Sequence, residues 1–112
     1  MNQPAVTITN HPERQEYELS LGQDVIGLLR YQIRPHLLAV THTEVAPEFG
    51  GHGFGGKLAS WVLDEARQNH LEVLPYCPFV RDYIASHSSY LDLVPVNRRA
   101  AFALPLTEPS PV

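Results

Sequence analysis

Cysteine, methionine and tryptophan each occur once among the 112 residues. A single Cys77 excludes an intrachain disulfide framework and any zinc site built on several thiolates. Positive charge is scarce: eight Lys and Arg stand against twelve Asp and Glu, for a formal net charge of −4. That balance lacks the basic footprint of nucleic-acid binding. No apolar run approaches the ~20 residues of a membrane-spanning helix. The opening MNQPAVTITNHPE has neither the basic nor the apolar region of a signal peptide. What remains is a chain with 44% hydrophobic and 18% charged residues, enough for a core without disulfides or a structural metal. The expectation is a soluble, cytoplasmic chain with no membrane or nucleic-acid partner, folded as one domain over 1–106 with a frayed, Pro-containing tail over 107–112.

The first half reads as strands. Val6 and Ile8 alternate with Thr7 and Thr9, and Tyr17, Leu19 and Leu21 alternate with Glu16, Glu18 and Ser20. Period two is the signature of a half-buried strand. A third run, Val25 to Ile33, places Val25, Leu29, Tyr31 and Ile33 on one face. A fourth, Leu37 to Val45, places Leu38, Val40, His42 and Glu44 together. The connectors are short, which favours an antiparallel meander. After Pro47 the texture changes to a glycine-rich loop, then to an amphipathic helix over Lys57–His70 with Leu58, Ala59, Val62, Leu63 and Ala66 as its apolar stripe. Leu71–Tyr76 reads as a short strand, Phe79–His87 as a second helix and Asn97–Leu106 as a final strand. Trp61 reads as core. The order predicts an α+β fold with a mixed sheet.

Five glycines fall in the seven positions 50–56, directly before a helix. Missing side chains let a ligand approach the backbone, and the free amides and dipole of a helix N-terminus attract phosphate. Gly51-x-Gly53-x-x-Gly56 fits the dinucleotide fingerprint, but the flanking meander is not the βαβ unit that motif needs. Gly51-x-x-x-x-Gly56-Lys57 fits most of a phosphate-binding loop of NTPases, but Leu58 stands where Ser or Thr holds magnesium.

The segment Glu48-Phe49-Gly50-Gly51-His52-Gly53-Phe54-Gly55-Gly56-Lys57-Leu58 resembles motif A of the GNAT superfamily of acetyl-CoA-dependent N-acetyltransferases, (Gln/Arg)-x-x-Gly-x-(Gly/Ala), read across Gly50, Gly53 and Gly55. With His42-Thr43-Glu44-Val45, Cys77-Pro78-Phe79-Val80, Tyr83 and His87-x-x-Tyr90, the chain looks like a small single-domain branch of that superfamily over residues 4 to 95. The resemblance implies a mixed, largely antiparallel sheet splayed between strands four and five, with helices packed on it. It implies an enzyme that moves an acetyl group from acetyl-CoA, the donor cofactor, to an amine of a small molecule or protein. A non-catalytic acyl-CoA-binding module is the alternative. By the same resemblance, Thr43 and Val45 would pair with the pantetheine arm, and Gly51, His52, Gly53, Phe54, Gly55, Gly56 and Lys57 would hold the pyrophosphate. Gly50 stands in place of the usual Gln or Arg, His52 where Arg or Lys is common, and Ile84 where a Tyr often protonates the departing thiolate. A neutral imidazole above pH ~6.5 would weaken CoA binding as pH rises.

Acetyl transfer needs a base for the amine, donors for a developing oxyanion and a proton for the thiolate. His42 and Glu44, two apart on a strand, share a face. If that face were as apolar as Leu38 and Val40 suggest, burial would raise the Glu44 pKa and lower that of His42. Cys77, between a strand and a helix N-terminus, is a candidate acyl carrier or acid. Tyr83 is a further candidate for the same cleft. No second ligand stands at metal-binding spacing from His42.

Overall fold

A computed structural model describes residues 5–107. Four strands, β1 (Val6–His11), β2 (Glu16–Leu21), β3 (Asp24–Arg34) and β4 (Leu37–Val45), form an antiparallel meander. Helix α1 (Phe54–Gln68) then crosses to β5 (Glu72–Pro75), which pairs parallel to β4. Helix α2 (Pro78–Ser86), a 3-10 segment (Ser88–Leu93), the short α3 (Val96–Arg99) and a last 3-10 turn (Ala100–Phe102) complete the chain. The sheet order is β1-β2-β3-β4-β5. This is the mixed α+β arrangement the sequence implies. Among the described residues no helix is long and apolar enough to cross a membrane. The expected tail lies, but for Thr107, outside the described residues.

The core forms where α1 sets Leu58, Ala59, Val62, Leu63 and Ala66 against Leu19, Leu29, Leu38 and Val40, with Val80 and Ile84 of α2 in the same cluster. Tyr17 enters this cluster through its ring and donates its hydroxyl to Glu65 at 2.5 Å. Burial first, then the Glu65 carboxylate, pushes the Tyr17 hydroxyl well above its ordinary pKa, so it stays a donor. Across the polar face, Glu16 pairs with Arg30 at 3.3 Å and Glu18 with Arg14 at 3.1 Å.

Two bulges shift the faces that simple alternation predicts. Leu19 pairs with Gly27 but Ser20 with Val25, so Ile26 is the extra residue. Ile26 turns inward and Val25 is left 56% exposed, which corrects the expectation for Val25. Ile33, near the strand end, is also exposed. Arg30 pairs with His42 but Tyr31 with Val40, so Thr41 is extra in β4. An inserted residue reverses the parity of everything beyond it. His42 and Glu44 therefore leave the face of Leu38 and Val40 and are exposed.

Other boundaries also move. The first helix starts at Phe54, three residues before the expected Lys57, and ends at Gln68. Trp61 lies beside the buried stripe and is 50% exposed rather than core. The expected strand over Asn97–Leu106 is absent; helical turns occupy Val96–Arg99 and Ala100–Phe102. Arg99 explains this, because its buried guanidinium needs carbonyl partners and finds them on Val94, at 2.9 Å, and on Leu106.

The 3-10 segment after α2 is tied to α1 by Arg67, which grips Asp92 at 2.6 and 3.0 Å and the Ser89 carbonyl at 2.8 Å. The Arg67 hydrogen bond holds the Asp92 pKa below its ordinary value. A depressed folded-state pKa gives stability that is present above the unfolded pKa and is lost as pH falls through the folded one. Both side chains are substantially exposed, so the pair is worth about 0.5–1 kcal/mol. Asp92→Asn is expected to cost that much in urea unfolding at pH 7. The gap should close as pH falls through the lowered pKa of Asp92, where its carboxyl becomes neutral like the amide.

Candidate active site

The strands β4 and β5 pair only from Leu37↔Glu72 to Val40↔Pro75. The Cys77 amide then donates to the Val40 carbonyl at 2.9 Å, and this is the last backbone bond across the junction. Beyond it β4 runs on to Val45 while the chain after β5 turns into α2, so the sheet splays here. The turn is local chemistry: Pro78 occupies the first position of α2, where a missing amide costs nothing.

The open side of β4 carries unused backbone groups. Ala46 donates its amide to the Ile26 carbonyl at 2.7 Å. Antiparallel alternation then directs His42 and Glu44 toward β3 and leaves the amides and carbonyls of Thr43 and Val45 facing the split. They form the wall of a cleft of about 270 Å³, lined also by Phe49, Phe54, the glycine loop and Phe79.

The other wall is the start of α1. Gly51 and Gly53 have φ of 81° and 78°, a region that L side chains rarely adopt, and this turns the loop into the helix. Gly53 is the N-cap and supplies no side-chain cap. The first helical bond runs from the Lys57 amide to the Gly53 carbonyl at 3.0 Å. The Phe54, Gly55 and Gly56 amides therefore have no intrahelical partner. No acidic side chain sits in this first turn. Three free donors at the positive end of a 15-residue helix are an arrangement that suits an anion. Gly55 has a second reason to be glycine: a Cβ there would lie 2.7 Å from Phe79 Cζ. The missing side chain brings α2 against α1 and sets Phe79 as a wall of the cleft.

Thr43, Val45, Gly51, Gly53, Phe54, Gly55 and Gly56 thus come together as cleft lining. His52 is exposed at the loop, its ring 6.1 Å from that of Phe54. Lys57 lines a separate groove with Ser60, Trp61 and β1. Phe49 and Phe79 line the cleft without having been singled out as site residues; the signal for Phe79 was the side-chain-free Gly55 that it packs on.

The catalytic candidates divide. Cys77 is buried, and its thiol donates to Thr43 Oγ1 at 3.4 Å across the narrow end of the split. Glu44 borders the cleft. It accepts from His42 Nε2 at 2.9 Å, with both side chains exposed. The burial expected of this pair is absent. A carboxylate only accepts, so Nε2 carries the proton of this bond, and Nδ1 takes no part in it. Tyr83 packs beside Gly56 and stacks on His87 with centroids 3.9 Å apart. Ile84 is buried in the core. Tyr90 donates to Asp64 at 2.8 Å; burial and that carboxylate push its hydroxyl up to about 12, which keeps it a structural donor. Among the described residues no three His, Cys, Asp or Glu side chains gather as a metal site.

A family model described as GCN5-related N-acetyl-transferase matches residues 16–93. Among solved structures, a GCN5-like protein of Staphylococcus aureus, determined by NMR, superposes with a TM-score of 0.64 at 24% identity. That match covers 80% of this chain and 87% of the other. Rv2747 of Mycobacterium tuberculosis, solved in complex with CoA, superposes with a TM-score of 0.52 at 23% identity. There the match covers 66% of this chain and 47% of the other, so this chain spans about half of that protein. A search of curated proteins finds no match.

Proposed function

The chain belongs to the GCN5-related N-acetyltransferase family, and from that premise we propose that it transfers an acetyl group from acetyl-CoA to an amine of a small molecule or protein. The observation that carries the reading is the pairing of an uncapped helix N-terminus with an open strand edge across one cleft. The first suits a diphosphate, and the second suits the amides of a pantetheine arm. The Phe54, Gly55 and Gly56 amides would hold the diphosphate, and the Thr43 and Val45 backbone would align the arm. Acetyl-CoA supplies an acyl group activated as a thioester.

The remaining steps fall to side chains around the cleft: Glu44 borders it, and His42, outside its lining, is joined to it through Glu44. His42, held through Nε2 by Glu44, offers Nδ1 to take the proton of an acceptor ammonium. A free backbone amide of β4 is the oxyanion donor. Cys77, whose thiol proton already points along a hydrogen bond to Thr43, is the proton source for the departing sulfur. Tyr83, beside Gly56, flanks the bound donor.

A second reading, a module that binds acyl-CoA without turnover, is favoured by Ile84, buried and without a proton to give. Thermal melting separates these from a nucleotide-binding protein. A ligand at a hundred times its dissociation constant adds about 2.7 kcal/mol. The midpoint should rise by roughly 10 °C with CoA and acetyl-CoA and stay put with ATP and NAD. No shift at saturating acetyl-CoA sinks both readings. Where binding holds, turnover on a panel of amines that falls in Glu44→Gln and Cys77→Ala supports the enzyme. An acetyl group found on Cys77 by intact mass would overturn its role as acid.

A further inference from the structure

The cleft is blunt at one end. Its lining runs from the glycine loop along β4 to Thr43. There the Cys77 side chain, 3% exposed, reaches across to Thr43 Oγ1 at 3.4 Å. Behind this contact the strands are already paired through Val40 and Pro75, and Cys77 shares its buried cluster with Val40, Leu58 and Val80. An interior of that kind is close-packed and gives way little. A pantetheine arm that pairs first with Val45 and then with Thr43 would bring its thioester to this closed end.

We propose that the Thr43–Cys77 contact sets the length of the acyl group, admitting acetyl and rejecting longer chains; this rests on the coenzyme A reading above. A butyryl group carries two methylenes more than acetyl. They would have to displace the Cys77 side chain from packed surroundings, since on the other side the acyl group must stay open to the acceptor. Pockets discriminate single methylenes by about tenfold or more when they cannot expand. Shape matters here more than the hydrogen bond, because a methyl in place of the Thr43 hydroxyl fills the same space.

Dissociation constants for CoA, acetyl-CoA and butyryl-CoA, measured by titration calorimetry on the full chain, test this without any need for turnover. The expected result is similar affinity for CoA and acetyl-CoA, with butyryl-CoA weaker by about tenfold or more. Thr43→Ala, and separately Cys77→Ala, should narrow that gap to about threefold, and Thr43→Val should retain it. Melting midpoints without ligand check that each variant is folded. Equal affinity of the wild type for acetyl-CoA and butyryl-CoA overturns the inference and leaves the coenzyme A site intact. A gap unchanged in folded Thr43→Ala does the same. Absence of binding by all three ligands overturns the coenzyme A reading and this inference with it.

Discussion

Gly56→Asp is expected to melt at or above the wild-type midpoint and to lose coenzyme A affinity by about a hundredfold or more. The two effects have opposite signs because the first turn of α1 does two jobs. As the start of a helix, it is poorly made. Gly55 and Gly56 carry the entropy cost of glycine, and no side chain caps the free amides. A carboxylate at this position interacts favourably with the positive end of the dipole, by about 0.3–1 kcal/mol. Room exists for it: a Cβ on Gly56 meets Tyr83 Cε2 at 3.4 Å, an ordinary contact, and the residue has no left-handed φ. As an anion site, the same turn is ruined. A fixed negative charge ~4 Å from a phosphate costs about 4 kcal/mol at the effective dielectric of a protein surface, and a diphosphate carries more than one charge. Melting scans without ligand and CoA titrations on one sample read both quantities. A variant that binds CoA as the wild type does would place the phosphates elsewhere. One that is strongly destabilised would show that the glycine is kept for the fold instead.

That reading was accessible from the sequence because it rests on residues next to each other in the chain. The glycine density at 50–56 marks the loop and suggests the class of ligand proposed for it. The alternation in β2, and the apolar stripe from Leu58 to Ala66, are local patterns of the same kind, and the structure follows them; in β1 only Ile8 of the apolar pair turns inward and Val6 stays exposed. The failures are of another kind. Alternation is a parity signal, and one inserted residue inverts it. Ile26 and Thr41 are both such insertions, and nothing in their neighbours' hydropathy marks them. Thr41 matters most for the site. It trades His42 and Glu44, expected on the core side, for Thr43 and Val45, and so decides which β4 side chains face Cys77. Arg99 misled in a different way. Its charge reads as surface, yet carbonyl partners seven and fewer residues away bury it, and the helical turns around it follow from that satisfaction. Trp61 fell to the assumption that large aromatics are core, although its position beside the 58-62-66 stripe places it at the helix flank.

Leu58→Ala and Leu63→Ala are expected to cost the fold nearly the same and the ligand site very differently. Both leucines are fully buried in the cluster between α1 and the sheet. Truncating either leaves a cavity and loses about 3 kcal/mol. For a domain of this size that lowers the melting midpoint by about 10–20 °C, a large share of a total stability on the order of 5–15 kcal/mol. Leu58, however, lies one turn from Gly55 and fastens the first turn of α1 to the core. The three free amides keep their aim only while that turn is held. Leu63 lies a turn and a half further along, where the loss of packing leaves the first turn in place. Measured well below both midpoints, CoA affinity should fall by about tenfold in Leu58→Ala and stay within about twofold of wild type in Leu63→Ala. Equal losses of affinity would mean that CoA binding follows global stability. Unequal losses in this order would tie it to the position of one helical turn, which is what a site made of backbone amides requires.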